Sequence, residues 1–299
     1  MIYEFALEPD ILYNWDRVRY FTEKFGIEHG RLISKFPSKK WKKMVFKACK
    51  HCPDREKKRI EVCMRKIESK LLKSHRDYDP DKLWLENAEL SHMVLPFHAI
   101  LACENPRSHD YIILPDEIDE IHPHFKIQRE IALPRNAESM LHEIENLLSM
   151  SKDILFIDPH FDPSEERWCN LVIHCLRMIE KKNLTPLKLE YHCKEKGNQG
   201  QLKYWKNSCD LILSKEIPKS LSLKIYRWRQ KIGGEKLHRR YILTDCGGIR
   251  FETGLDEGDE GETQDVSLLS HDLYETVWSW YQENSNVFEF VDTYEIISK

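Results

Sequence analysis

The stretch KLHRRYILTDCGGIRFETGLDEG, residues 236–258, decides how this chain is read. HRRYILTD (238–245) predicts a strand, Gly247-Gly248 a hairpin turn, and IRFETGL (249–255) the return strand. Alternate side chains on a strand share a face, so His238 and Arg240 are expected to point together. An imidazole beside a fixed guanidinium suits attack on a phosphodiester. The ring can be the nucleophile, and the planar fork holds a non-bridging oxygen. A surface strand with a basic tip is the competing reading of the same spacing.

Strands and helices alternate on both sides of this hairpin. Apolar spacing predicts helices over 138–151, 167–182, 201–217 and 270–284. Short apolar segments predict strands over 153–163, 186–194, 221–229 and 286–297, the first ending in a charged turn. That order argues for an α/β sandwich around a mixed sheet over residues 126–299. Residues 1–125 read differently, as a basic, mainly helical region. Helices are expected over 10–21 (with Asp10 as cap), 38–51 and 55–73, strand-like runs over 93–103 and 109–119, and a connector over 121–136.

The chain has 299 residues, which at about 150 per domain suggests two domains or one large one. A hydrophobic content of 41% excludes a disordered chain, and 11 Gly with 13 Pro exclude a collagen-like one. No apolar run reaches about 18 residues, so no membrane span is expected. The acidic start MIYEFALEPD has no basic n-region of a secretory signal. Nine unevenly spaced Cys fit a reducing cytoplasm better than a disulfide framework.

Net charge is −4, but Arg31–Arg76 holds 17 Lys/Arg against 4 Asp/Glu, a net of +13, so the remainder carries −17. Such asymmetry points to a polyanion partner. Lys39, Lys40, Lys42 and Lys43 are the densest cluster, and Phe36, Trp41 and Phe46 are interleaved with the charge as candidate stacking groups. A solvated face of two helices is the alternative. Cys49-x2-Cys52, with Cys63 and His75 further on, is too irregular for a closed zinc set, so core cysteines are the expectation and no metal is assigned. The run 254–265 holds six carboxylates: Asp256, Glu257, Asp259, Glu260, Glu262 and Asp265. It reads as a solvated loop, with cation binding or folding over a basic site as alternatives. Arg227 and Arg229 alternate on the 221–229 strand, to gather phosphates or to charge a sheet edge.

His238-x-Arg240-x4-Asp245 followed by Gly254-Leu255-Asp256 resembles the phospholipase D superfamily, whose signature is H-x-K-x4-D followed by G-S-x-N. It is more similar still to the single-motif phospholipase D-like domains related to the C-terminal domain of MIT-containing proteins. These share the leucine-histidine start, the hairpin and the glycine-leucine-aspartate end. The turn DPHFDP (158–163) also fits, and the resemblance covers about residues 130–299. It implies that His238 takes the place of the nucleophile, Arg240 that of the phosphate-binding lysine, and Asp245 that of the motif aspartate. Arg stands for Lys, the glycine comes two positions late, and Leu255 stands where the family has serine. Superfamily enzymes use two histidines, so one motif implies a homodimer with two copies of His238 near the axis. His160, in the turn 158–163, is the alternative second histidine.

The resemblance implies a metal-independent phosphodiesterase that cuts nucleic acid through a phosphohistidine and uses no cofactor. It further implies a cytoplasmic setting in bacterial defence against foreign DNA, with protein partners in a multi-component system. A non-catalytic module binding nucleic acid, a phosphoinositide or a protein is the other expectation, because the G-S-x-N amide is absent. Lipid hydrolysis ranks last, since no amphipathic anchor is visible.

Overall fold

The computed structural model describes residues 1–73, 76–195 and 199–298. The chain divides into two compact units, Met1–Arg129 and Glu130–Lys299.

The first unit is organised by a sheet. Its elements are β1 (Tyr3–Leu7), α1 (Trp15–Lys24), β2 (Arg31–Ser34), α2 (Trp41–Ala48), α3 (Asp54–Lys66), β3 (Leu71–Leu72), α4 (Trp84–Val94), β4 (Ala99–Leu101) and β5 (Ile112–Ile113). The strands pair in the order β3-β2-β1-β4-β5, all parallel. The expected mainly helical region therefore has a five-stranded parallel sheet at its centre. The strands escape a periodicity reading because both of their faces are covered. Phe5 and Leu7 enter one core with Phe21, Phe25 and Trp41, while Ala6 enters another with Phe36, Trp84 and Ile100. A strand buried on both faces shows a short apolar run and no alternation. Leu71-Leu72 accordingly looked like a helix end, and the cap of α1 is Asn14, whose side chain accepts from Arg17 N at 2.9 Å, not Asp10.

The basic stretch is partly consumed by this fold. Arg31 is 3% exposed and bonds Phe125 O at 2.9 Å and Glu120 at 2.5 Å. Arg76 pairs with Glu4, and Lys35 and Lys42 with Glu68. Phe36 and Trp41 are fully buried, so of the three interleaved aromatics only Phe46 reaches solvent. Lys39, Lys40 and Lys43 are exposed. Cys49 and Cys52 are core residues whose thiols donate to Leu12 O and Tyr13 O at 2.9 and 3.3 Å. Burial pushes the Cys49 thiol up to about 11, the wrong direction for a thiolate ligand. Among the described residues no His/Cys/Asp/Glu group is arranged to hold a metal; His75 lies outside them.

The second unit comprises β6 (Glu130–Pro134), α5 (Ala137–Met150), β7 (Asp153–Ile157), α6 (Glu166–Lys181), β8 (Lys188–Lys194), α7 (Gln199–Leu213), β9 (Ser222–Arg229), β10 (Arg240–Thr244), β11 (Gly247–Phe251), β12 (Thr263–Leu268), α8 (His271–Trp280) and β13 (Glu289–Ile297). Its eight strands run β13-β9-β8-β7-β10-β11-β12-β6. β7, β8 and β9 are parallel, and the other pairings are antiparallel. This is the α/β unit with a mixed sheet that the sequence predicts. Two strands were hidden: β6 in the expected connector, and β12 at the end of the acidic run. No helix of the described residues is long and apolar enough to cross a membrane.

One consequence of this packing is a pH effect. Burial pushes the imidazole of His98, packed on Tyr3 and Phe5, down from 6.5 to about 4. The unfolded chain then takes up a proton between these values that the folded chain refuses. This group's contribution to stability is thus lost as pH falls from about 6.5 to 4. Urea midpoints measured across that window are expected to fall more steeply for the wild type than for His98→Phe.

Candidate functional site

The start of β10 meets the end of β7. Tyr241 pairs with Ile157, which sets Arg240 beside Asp158, the first residue beyond β7. Arg240 also pairs with Phe251 at the end of β11, so the loop 252–256 leaves from the same edge. Asp158 is fully buried and ties these segments together. Its Oδ1 accepts from His160 N at 2.8 Å and its Oδ2 from Leu255 N at 2.9 Å. Burial pushes its carboxyl above the ordinary range, while the two N–H donors and the charge of Arg240 oppose that rise.

These loops enclose an open cleft of about 390 Å³. Arg135, Arg167 and Arg240 supply three guanidinium groups, His160 and Trp168 two rings, and Asp162, Glu165 and Asp256 three carboxylates, with Thr253 between them. The cations differ in how far they are neutralised. Arg135 binds Asp256 at 2.9 Å and Glu262 at 2.8 Å, and Arg167 lies 3.2 Å from Glu165 and 3.5 Å from Asp256. Nε of Arg240 is buried and has no hydrogen-bond partner among the described residues. The same holds for Nε of Arg135 and for the hydroxyl of Tyr191, which feels the charges of Asp158 and Asp256. Buried donors are normally satisfied, so the two arginines with an unpartnered Nε at one cleft mark a place suited to a polar occupant.

Gly254 is required here. A Cβ at that position would lie 2.2 Å from Oδ1 of Asp256 and 3.4 Å from Oδ2 of Asp158, so any side chain would push Asp256 off Arg135. The acidic run is likewise not simply a solvated loop. Asp256 is 3% exposed, Glu257 accepts from Ala137 N at 2.8 Å at the start of α5, and Glu262 holds Arg135.

Several expected site residues lie elsewhere. His238 precedes β10 on an exposed turn, so strand alternation does not align it with Arg240, and it does not line the cleft. Its Nδ1 lies 3.2 Å from Lys236 O, a carbonyl that only accepts, so this contact uses Nδ1–H as the donor. Asp245 is at the far end of β10, roughly 17 Å from Arg240 at about 3.4 Å per residue. There it accepts from the N–H groups of Lys152 and Asp153 at 2.8 and 3.1 Å, a structural task. Arg227 is 5% exposed and grips Asp292 at 2.7 and 2.5 Å, and Arg229 pairs with Glu195 and Glu289. Both arginines are held in ion pairs around β9, and β9 lies between β13 and β8, so the sheet-edge reading does not apply to it. The hairpin turn is Asp245-Cys246, since Thr244 pairs with Gly247. Gly248 instead makes room for Leu243 and Leu269, whose atoms would meet its Cβ at 2.6 and 2.9 Å. Asp158, Arg135, Arg167, Trp168 and Tyr191 went unnoticed in the sequence. The turn DPHFDP was the one visible signal for any of them.

No family model matches the chain, and no curated protein matches it. Among solved structures the chain is similar to TrmBL2, an archaeal chromatin protein described as showing a novel mode of DNA binding. The TM-score is 0.32 and the identity 14%, over 56% of this chain and 55% of that one. A likeness this distant carries no argument about fold or function.

Proposed function

We propose that residues Glu130–Lys299 form a phospholipase D-like domain that binds a phosphodiester at Arg240 and hydrolyses nucleic acid through a phosphohistidine at His238. The observation that supports this most is Arg240 itself: a guanidinium at a polar cleft whose buried Nε has no partner among the described residues. A phosphate oxygen is the natural acceptor for that fork. The contact of Nδ1 with Lys236 O leaves Nε2 of His238 as the nitrogen to act as nucleophile in the neutral ring. Nε2 attacks phosphorus, the P–O ester bond breaks, and a second imidazole protonates the leaving alkoxide. Water then attacks the phosphohistidine, the second imidazole takes its proton, and the P–N bond breaks. Arg240 neutralises charge on the transferring group. The exposed face of α2 adds affinity for the backbone.

The second imidazole comes from His238 of another copy, in a homodimer, and its exposure on a turn leaves it open to one. Light scattering should therefore give the mass of two chains at micromolar concentration. A monomer with full activity that His160→Ala abolishes would replace this arrangement with one built on His160, which lines the cleft. One observation favours a purely binding module: His238 is not among the residues lining the cleft. The deciding experiment incubates wild type and His238→Ala with labelled DNA and RNA in EDTA. Loss of cleavage with retained binding supports the enzyme, and binding without cleavage by either supports the module.

The lysines give an independent prediction. Lys42 is already paired with Glu68, so the informative change is Lys39, Lys40 and Lys43 to Glu. Each lost phosphate contact lowers the log–log salt slope of binding by roughly one. An unchanged slope would mean that these lysines form only a solvated face.

A further inference from the structure

The cleft carries an aromatic group that hydrolysis of a phosphodiester does not need. Trp168 lies in the first turn of α6 and lines the same cleft as Arg240, Arg135 and His160. Its indole is half-buried, and the guanidinium of Arg167 sits 5.5 Å from a ring centroid. Arg167 is itself about half exposed, so the pair forms one wall of the cleft. At about 390 Å³ the cleft falls within the range of roughly 300–1,000 Å³ typical of small-ligand sites. That is more room than a phosphate alone fills, and the indole adds an aromatic face that a phosphate does not use.

We infer that the cleft accepts one unpaired nucleotide of single-stranded nucleic acid, with its phosphate at Arg240 and its base stacked on the Arg167–Trp168 wall. The inference rests on the phosphodiester reading of Arg240 and narrows its substrate class. Every base offers a π face, so an aromatic wall is tolerant of sequence. Within a duplex those faces are taken by neighbouring base pairs, so an interior nucleotide cannot use the wall without leaving the stack. The phosphate contact is indifferent to strandedness, whereas the stacking contact is not.

The test is fluorescence anisotropy of end-labelled oligonucleotide, single-stranded or as a long duplex of the same sequence, on the full chain. Wild type is compared with Trp168→Leu, Trp168→Phe and Arg240→Ala. Leu keeps apolar bulk and removes the π face, and Phe keeps both in part. Trp168→Leu should weaken single-strand binding about tenfold, as expected for one lost stacking contact, and leave duplex binding nearly unchanged. Trp168→Phe should fall between Leu and wild type. Equal weakening on both substrates, or none on either, while Arg240→Ala still weakens both would overturn the stacking site and leave the phosphate site standing. If Arg240→Ala binds like wild type, the underlying reading fails and this inference with it.

Discussion

Arg240→Ala is expected to lower the rate of the proposed phosphodiester cleavage by about 10²–10³, the usual effect of removing one electrostatic contact to a developing charge. Arg240→Lys retains part of the activity, because an ammonium supplies the charge without the fork. The reason lies in what surrounds the side chain. Arg135 and Arg167 are already held by Asp256, Glu262 and Glu165. Nε of Arg240 has no hydrogen-bond partner among the described residues, so a phosphate there displaces no carboxylate from that nitrogen. Arg135→Lys, which disturbs an existing ion pair, should cost less in rate. Single-turnover cleavage by the variants, each with a melting curve to separate folding from chemistry, checks the order. Equal losses for Arg135→Lys and Arg240→Ala would contradict it.

Asp158→Ala is expected to destabilise the second unit by about 3 kcal/mol, because two N–H donors lose their acceptor and each buried donor left unpaired costs about 1–3 kcal/mol. The variant leaves Leu255 N–H buried without its acceptor and releases the turn at His160. Asp158→Asn is milder, because its carbonyl still accepts from one of the two N–H groups. The Asn variant also carries a pH signature. The folded carboxyl titrates above its ordinary value of 3.8, so its contribution to stability is fully present below 3.8 and is lost as pH rises through the folded value. Asp158→Asn removes that slope. Urea denaturation at several pH values above 3.8 reads it, and an Asn variant as steep as wild type would contradict it.

What the sequence revealed follows the physics of burial. Helices α5 and α6 were legible because one apolar face meets a sheet and the other meets water. The strands of the first unit were illegible because Phe5 and Ala6 face two different cores. β12 was masked by carboxylates, although Gln264 and Val266 alternate inward as a strand requires. The candidate site was half legible. Arg240 stood out by its spacing, but the strand begins at Arg240, and spacing cannot tell that His238 lies on the turn before it. Arg135 and Arg167 are remote in sequence and reach the cleft through the pairing of β12 with β6 and through the start of α6. Nor does a sequence tell a solvated aspartate from a buried one. Asp158 and Asp256 look like turn residues and prove to be inner carboxylates.

In the proposed reaction His238 forms a covalent bond to phosphorus while Arg240 holds the phosphate. It is tested most directly by quenching a cleavage reaction in EDTA, with substrate labelled at the scissile phosphate, and looking for label on the protein. The account predicts an acid-labile, base-stable adduct on the peptide carrying His238, absent in His238→Ala, with oligonucleotide affinity unchanged. Cleavage by His238→Ala at the wild-type rate would contradict it.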